Sequence, residues 1–149
     1  MKQPEQKSIE QFRSAQLQCE GYPDNNPKTA FGMTKAPLDL VPPSASFYLA
    51  KAFADGAKKY HPYNWRVNGI SSSVYYAAAK RHLDAWWDGE DIATDSGVEH
   101  VAHAMACCAL ILDSASVGML NDNRPPKGAL AQLLSNYIKE GENKDKHAT

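Results

Sequence analysis

The stretch SSSVYYAAAKRHLDAWWDGEDIATDSGVEHVAHAMACCALILDSAS, residues 71–116, decides the fold. It holds two runs of helical length separated by a short acidic segment between Gly89 and Gly97. In the first run Tyr75, Ala79, His82 and Trp86 fall on one stripe at helical spacing, with Arg81 about 100° around the axis. In the second, Glu99, His103, Ala106, Leu110 and Asp113 share a stripe, and His100 lies one turn from His103 on the adjacent side. A serine among Ser71, Ser72 and Ser73 caps the first helix and Gly89 stops it, while the second starts after Asp95-Ser96-Gly97 and runs to Ser116. A connection of only about eight residues makes the two antiparallel neighbours. His82, Glu90, Asp91, Asp95, Glu99, His100 and His103 are therefore expected to approach one pocket.

Outward from this pair the helical period continues. Residues 44–60 start at a Ser44 or Ser46 cap, present Phe47, Ala50, Phe53, Ala54 and Ala57 on one face, and end at His61-Pro62. Gly56 inside that pattern suggests close approach of another backbone. Residues 129–139 carry Leu130, Leu133, Leu134, Tyr137 and Ile138 as the clearest amphipathic stripe, packed on the bundle or on a second subunit. Gly141 is expected to end that helix, leaving residues 142–149 as a solvated tail. Towards the N-terminus, a short helix over 9–18 precedes an irregular stretch, 20–44, with five prolines and with Lys28 and Lys35; it reads as a functional loop covering a site. No segment alternates as a strand would. The expected fold is all-α, a helical bundle with a long irregular N-terminal loop. It forms a single domain: residues 1–44 as segment and loop, 45–117 as helical core, and 118–149 as loop, amphipathic helix and tail.

Composition narrows the function classes. A net charge of −1 and a pI near 6.5 argue against binding of a nucleic-acid polymer, which needs a basic excess. The opening MKQPEQKSIEQF is polar and lacks a secretory pattern, and the longest apolar run, residues 102–112, falls short of the ~18 residues of a membrane span. A cytoplasmic protein with no membrane partner is expected. Adjacent Cys107 and Cys108 diverge on a helix and Cys19 is isolated, which reads as reduced thiols.

Carboxylates and imidazoles together form the ligand set of a divalent metal. Dominant carboxylates favour Mg²⁺ or Mn²⁺, and three histidines favour a transition metal. The same acids also serve simply as complements to a helix start, and a histidine on a helix is commonly a packed residue. Lys35, Lys58, Lys59, Arg66 and Arg81 are candidates for a phosphate clamp, and Asn64 and Trp65 for reading and stacking on a base. Neither GxxxxGK[ST] nor GxGxxG occurs.

The blocks Lys35-Ala-Pro-Leu-Asp-Leu-Val-Pro-Pro43, Gly56-Ala-Lys-Lys-Tyr60 with Asn64-Trp65-Arg66, and Arg81-His82 through Gly89-Glu90-Asp91 to Ser96-Gly97, His100 and His103-Ala104 resemble the phage dATP/dGTP diphosphohydrolase family. That family consists of MazG-like nucleotide pyrophosphohydrolases of the MazZ type. The resemblance covers residues 35–113. It implies an all-α, usually oligomeric protein, a dimer or tetramer, that hydrolyses a purine deoxynucleoside triphosphate (dGTP, dATP or both) to the monophosphate and pyrophosphate with Mg²⁺ or Mn²⁺. On this reading Glu90, Asp91, Asp95 and Glu99 hold metal, and His100 and His103 act as ligand or base beside Arg81 and His82. Lys35, Lys58, Lys59 and Arg66 bind the phosphates, and Asn64 and Trp65 the nucleoside. One departure stands out: the broad superfamily pairs ExxE on one helix with ExxD on the next. Here the first helix offers Asp84 and Asp88, and the second offers Glu99 but Ala102.

Two other readings compete. A non-catalytic phage protein that sequesters a nucleotide would keep the basic and aromatic residues but not need the carboxylates, so the acidic cluster favours the enzyme. A small structural helical protein with an incidental acidic loop is the third.

Overall fold

The computed structural model describes residues 26–147, so the expected helix over 9–18 and Cys19 lie outside the described residues. The chain divides into two compact units, Met1–Phe47 and Tyr48–Thr149. In the first, the stretch expected to be irregular contains helix α1, Pro27–Met33, and a 3₁₀ turn at Leu38–Leu40. The signal was local: Asn26 accepts the Lys28 N–H at 2.9 Å and Pro27 takes a first-turn position where its missing N–H costs nothing. The Lys35 ammonium lies 4.9 Å from the centre of the Phe31 ring, a cation–π contact.

Helix α2 spans Pro43–Tyr60. It begins two residues earlier than a Ser44 cap would place it, because the Pro42 carbonyl opens the ladder, accepting from Ala45 at 3.0 Å. Then follow α3 (Asn64–Asn68), β1 (Ile70–Ser71), α4 (Ser72–Trp87), α5 (His100–Ser116), β2 (Leu120–Asn121) and α6 (Leu130–His147). The all-helical expectation holds but for one parallel pair, Ile70 with Leu120 and Ser71 with Asn121, too short to leave an alternating pattern. Gly69 makes that pair possible. Its φ is +72°, and a Cβ there would meet the Met119 carbonyl oxygen at 2.9 Å.

Helices α4 and α5 pack together as expected, antiparallel: His82 meets His100 and His103, whereas Trp65, just ahead of α4, meets Asp113 near the end of α5. Gly89 closes α4 in a left-handed conformation, φ +101°, with Glu90 N–H reaching Ala85 O and Gly89 N–H reaching Trp86 O. The connection, residues 88–99, is longer than expected because α5 begins only at His100. Within it Ile92 bridges Glu99 antiparallel, and Ala93 N–H bonds Val98 O at 2.9 Å. Ala93 and Val98 are buried, so the acidic turn is anchored by two apolar side chains.

The core is built of small residues: Ala52, Val98, Ala102 and Ala106 cluster together, with Leu49 against them. Small side chains let helix backbones approach closely and bring functional groups on their flanks into contact. Helix α6 continues through Gly141, correcting the stop expected there. One glycine inside a helix costs only ~1 kcal/mol relative to Ala, too little to end the helix by itself. Its large apolar side chains, from Leu130 to Ile138, are exposed. Among the described residues no helix is long and apolar enough to cross a membrane.

Candidate functional site

A cavity of about 520 Å³ opens in the second unit between α2, α3, α4 and α5. Its volume lies in the range of pockets that take nucleotide-sized ligands. Each wall follows from a local pattern. Helix α2 contributes Phe53, Asp55, Gly56 and Lys59, and α4 contributes Tyr75, Arg81 and His82. Helix α5 contributes His103, Cys107 and Leu110, the acidic turn gives Asp95, and α3 gives Asn64 and Trp65. Gly56 meets no other backbone, contrary to expectation: a Cβ there would find nothing within 4 Å, and the missing side chain instead leaves cavity space.

One region is polar. Lys59 sits between two carboxylates, 2.9 Å from Asp55 Oδ2 and 3.2 Å from Asp95 Oδ2. Hydrogen bonds to these two acids hold the Lys59 ammonium above its ordinary range, and Lys59 in turn holds Asp95 below the usual carboxylate value. Beside them lie three imidazoles. His82 and His103 stack with ring centres 4.7 Å apart and planes 17° apart, and His82 Nδ1 lies 2.8 Å from His100 Nδ1. One nitrogen of that pair must donate and the other accept, so the two Nδ1 atoms do not both carry a proton. Ser96 Oγ approaches His103 Nε2 at 2.8 Å. Burial lowers the pKa of both His82 and His103, with His103 and His100 adding to the effect at His82. Both rings are therefore neutral near pH 7 and able to accept a proton.

The other region is aromatic. Trp65 stacks on Phe53 with centres 5.8 Å apart and touches Tyr63 at 5.2 Å. The turn that aims it is strained, since His61 and Tyr63 both take left-handed φ values, 69° and 57°. Such a conformation costs a non-glycine residue about 1–2 kcal/mol and persists only where the surroundings fix it. Asp113 supplies part of that fixing by accepting the indole N–H at 2.6 Å.

The residues singled out from sequence divide accordingly. Lys59, Asn64, Trp65, Arg81, His82, Asp95 and His103 line one cavity. His100 is buried behind His82, its Nε2 3.5 Å from Glu90 Oε2, and Asp91 receives the His100 N–H on its backbone carbonyl. Glu99 accepts from Lys51 at 2.8 and 3.0 Å, a contact that holds its carboxyl below the usual range. Lys58 is exposed and outside the cavity wall, Arg66 pairs with Asp113, and Lys35 belongs to the first unit. Glu90, Asp91, Asp95 and Glu99 thus do not converge as one ligand set: Glu99 faces a lysine, Asp95 another, and Glu90 a histidine. Among the described residues no three His, Cys, Asp or Glu side chains are grouped to hold a metal ion. Asp55 and Lys51 join the site without having stood out in the apolar pattern of α2, although Lys51, Asp55 and Lys59 recur every four residues on one face of that helix. Cys107 and Cys108 are free thiols, and burial raises the pKa of Cys107, which disfavours its thiolate.

A family described as dATP/dGTP diphosphohydrolase, N-terminal, matches residues 25–124. A dATP/dGTP diphosphohydrolase of Salmonella phage PMBT28 is 32% identical over 95 residues, covering 64% of this chain. The chain spans only 30% of that relative's length. No solved structure matches this chain. With two thirds of its length inside the family match, including every wall of the cavity, this chain belongs to the dATP/dGTP diphosphohydrolase N-terminal family.

Proposed function

We propose that the protein hydrolyses a purine deoxynucleoside triphosphate, dGTP or dATP, to the monophosphate and pyrophosphate. The observation that carries this reading is the pairing, in one cavity, of cations and neutral imidazoles with an aromatic wall. Trp65 stacks on the base and Asn64 reads its edge, while Lys59 and Arg81 neutralise the phosphates and the departing pyrophosphate. His82 or His103, uncharged at neutral pH, takes a proton from the attacking water. Lys59 leaves its carboxylates for the phosphate when substrate enters, an exchange that keeps the ammonium paired throughout.

Mg²⁺ or Mn²⁺ dependence belongs to the proposal, the ion serving to neutralise phosphate oxygens. Of the four carboxylates first considered as ligands, Asp95 is the one that lines the cavity. A homo-oligomer and a cytoplasmic, phage-infected host as the setting also belong to it. The exposed stripe from Leu130 to Ile138 is a surface suited to a second copy.

The deciding experiment incubates the protein with each dNTP and Mg²⁺ or Mn²⁺ and measures pyrophosphate and monophosphate, with a chelator control. Release from dGTP or dATP that stops on chelation is expected. Tight nucleotide retention without turnover would instead support sequestration.

A further inference from the structure

Asp113 has no role in the reaction just described, yet its carboxylate makes three hydrogen bonds to two consecutive residues of α3. Trp65 Nε1 donates to Oδ2 at 2.6 Å, Arg66 Nε donates to the same oxygen at 2.8 Å, and Arg66 Nη2 donates to Oδ1 at 2.7 Å. The Arg66 guanidinium also lies 5.2 Å from the centre of the Tyr63 ring. Arg66 is absent from the cavity wall, whereas Trp65 forms part of it. A five-residue helix entered through two left-handed residues has little hold on its own orientation. An indole free to turn would cease to offer a fixed stacking face.

We infer that Asp113 is a positioning residue for substrate binding: it fixes the Trp65 indole as the aromatic wall of the cavity, and Arg66 is its counter-ion rather than a phosphate ligand. The inference rests on the nucleotide reading for its substrate. Bidentate pairing with Arg66, and then the indole bond, hold the Asp113 carboxyl down to about 2, so the acceptor stays ionised across the working pH range. The neighbouring charge on Arg66 keeps that carboxylate from being a lone anion beside an apolar wall.

The test uses the full chain carrying Trp86→Phe and Trp87→Phe, both exposed positions, so that fluorescence reports Trp65 alone. Asp113→Ala should expose Trp65 to acrylamide in the ligand-free protein and raise KM for dGTP about tenfold, with kcat within about twofold. Asp113→Asn keeps an oxygen for the indole and should restore KM to within about threefold of the parent. Arg66→Gln should cost no more than Asp113→Ala. Unchanged quenching and KM in Asp113→Ala would overturn the inference. So would a fall in kcat at constant KM, or an Arg66→Gln effect far exceeding that of Asp113→Ala, the mark of a phosphate contact. If Asp113→Ala does not fold, Asp113→Asn decides: parent-like quenching supports the inference and full exposure of Trp65 overturns it. Quenching is read without nucleotide, so a parent chain that turns over no dNTP defeats the functional proposal while Asp113's hold on Trp65 is still measured.

Discussion

Helices α5 and α6 are nearly equal in length and opposite in character. Helix α5, His100–Ser116, is rich in alanine, and Ala102, Ala104, Ala106, Ser114 and His100 are buried in it. Helix α6, Leu130–His147, bears the strongest amphipathic pattern of the chain, yet Leu133 is 63% exposed and Tyr137 77%. Burial here follows from which helix finds a partner rather than from which has the larger apolar side chains. Helix α5 lies close enough to α4 for His82 and His103 to stack, and that proximity creates the polar region of the cavity. The helix that makes the site is therefore the one with the less conspicuous pattern.

The contrast can be tested at four points. The largest effect is expected at the cavity. Arg81→Ala should lower kcat/KM for the best dNTP by about a hundredfold or more, as expected for loss of a charged contact to a developing anion. Arg81 is exposed, so the thermal midpoint should barely move; a large stability loss would make Arg81 structural. Next is the small-residue contact. Ala102, 2% exposed, has no room for added methylenes, and Ala102→Leu should destabilise the fold by about 1–3 kcal/mol in denaturant unfolding. A neutral result would mean the cluster of Ala102 with Ala52 and Leu49 of α2 is looser than its small residues imply.

The third point is pH. His82 and His103 have folded pKa values below 6.5, so between those values and 6.5 the unfolded chain binds more protons than the folded one. Stability should therefore fall as pH is lowered from 7 through 6.5 and below, and activity should fall with it as the imidazoles charge. A second loss should follow below pH 3.8 as Asp95 and Asp113, whose pKa values are depressed, give up their partners. Thermal midpoints that stay flat between pH 7 and 5 would contradict the burial of the imidazoles. The smallest effect is expected on α6. Replacing Leu134 and Tyr137 together by Ser should change the stability of the isolated chain by less than ~0.5 kcal/mol, while sedimentation reports any loss of self-association. A large drop in stability would show that α6 is packed after all.

Much of the site was legible in sequence because helical spacing is a local property. The stripe through His82 and the stripe through His103 face each other as their periods require, and Gly89 ends α4 where a left-handed residue was needed. The acidic turn was legible as a cluster but not as a ligand set. Which charge each carboxylate faces depends on lysines on α2, separated from Glu99 by 48 positions in the case of Lys51. The role of Asp113 was equally out of reach: it lies on the stripe read for α5, but its partners Trp65 and Arg66 are brought to it by the strained turn after α2.

The sequence by itself determined the four longer helices, the antiparallel pair and the residue types that meet around the acidic turn, since periodicity and capping act over a few residues. Only the tertiary structure decided that alanines rather than leucines form the core and that Lys51 and Lys59 occupy Glu99 and Asp95. It alone decided that Gly56 opens a cavity instead of admitting a backbone, and that a two-residue parallel pair joins Ile70 to Leu120. The physical reason is common to all of these. Burial and charge pairing are properties of two surfaces in contact, and one stretch of chain encodes only its own surface.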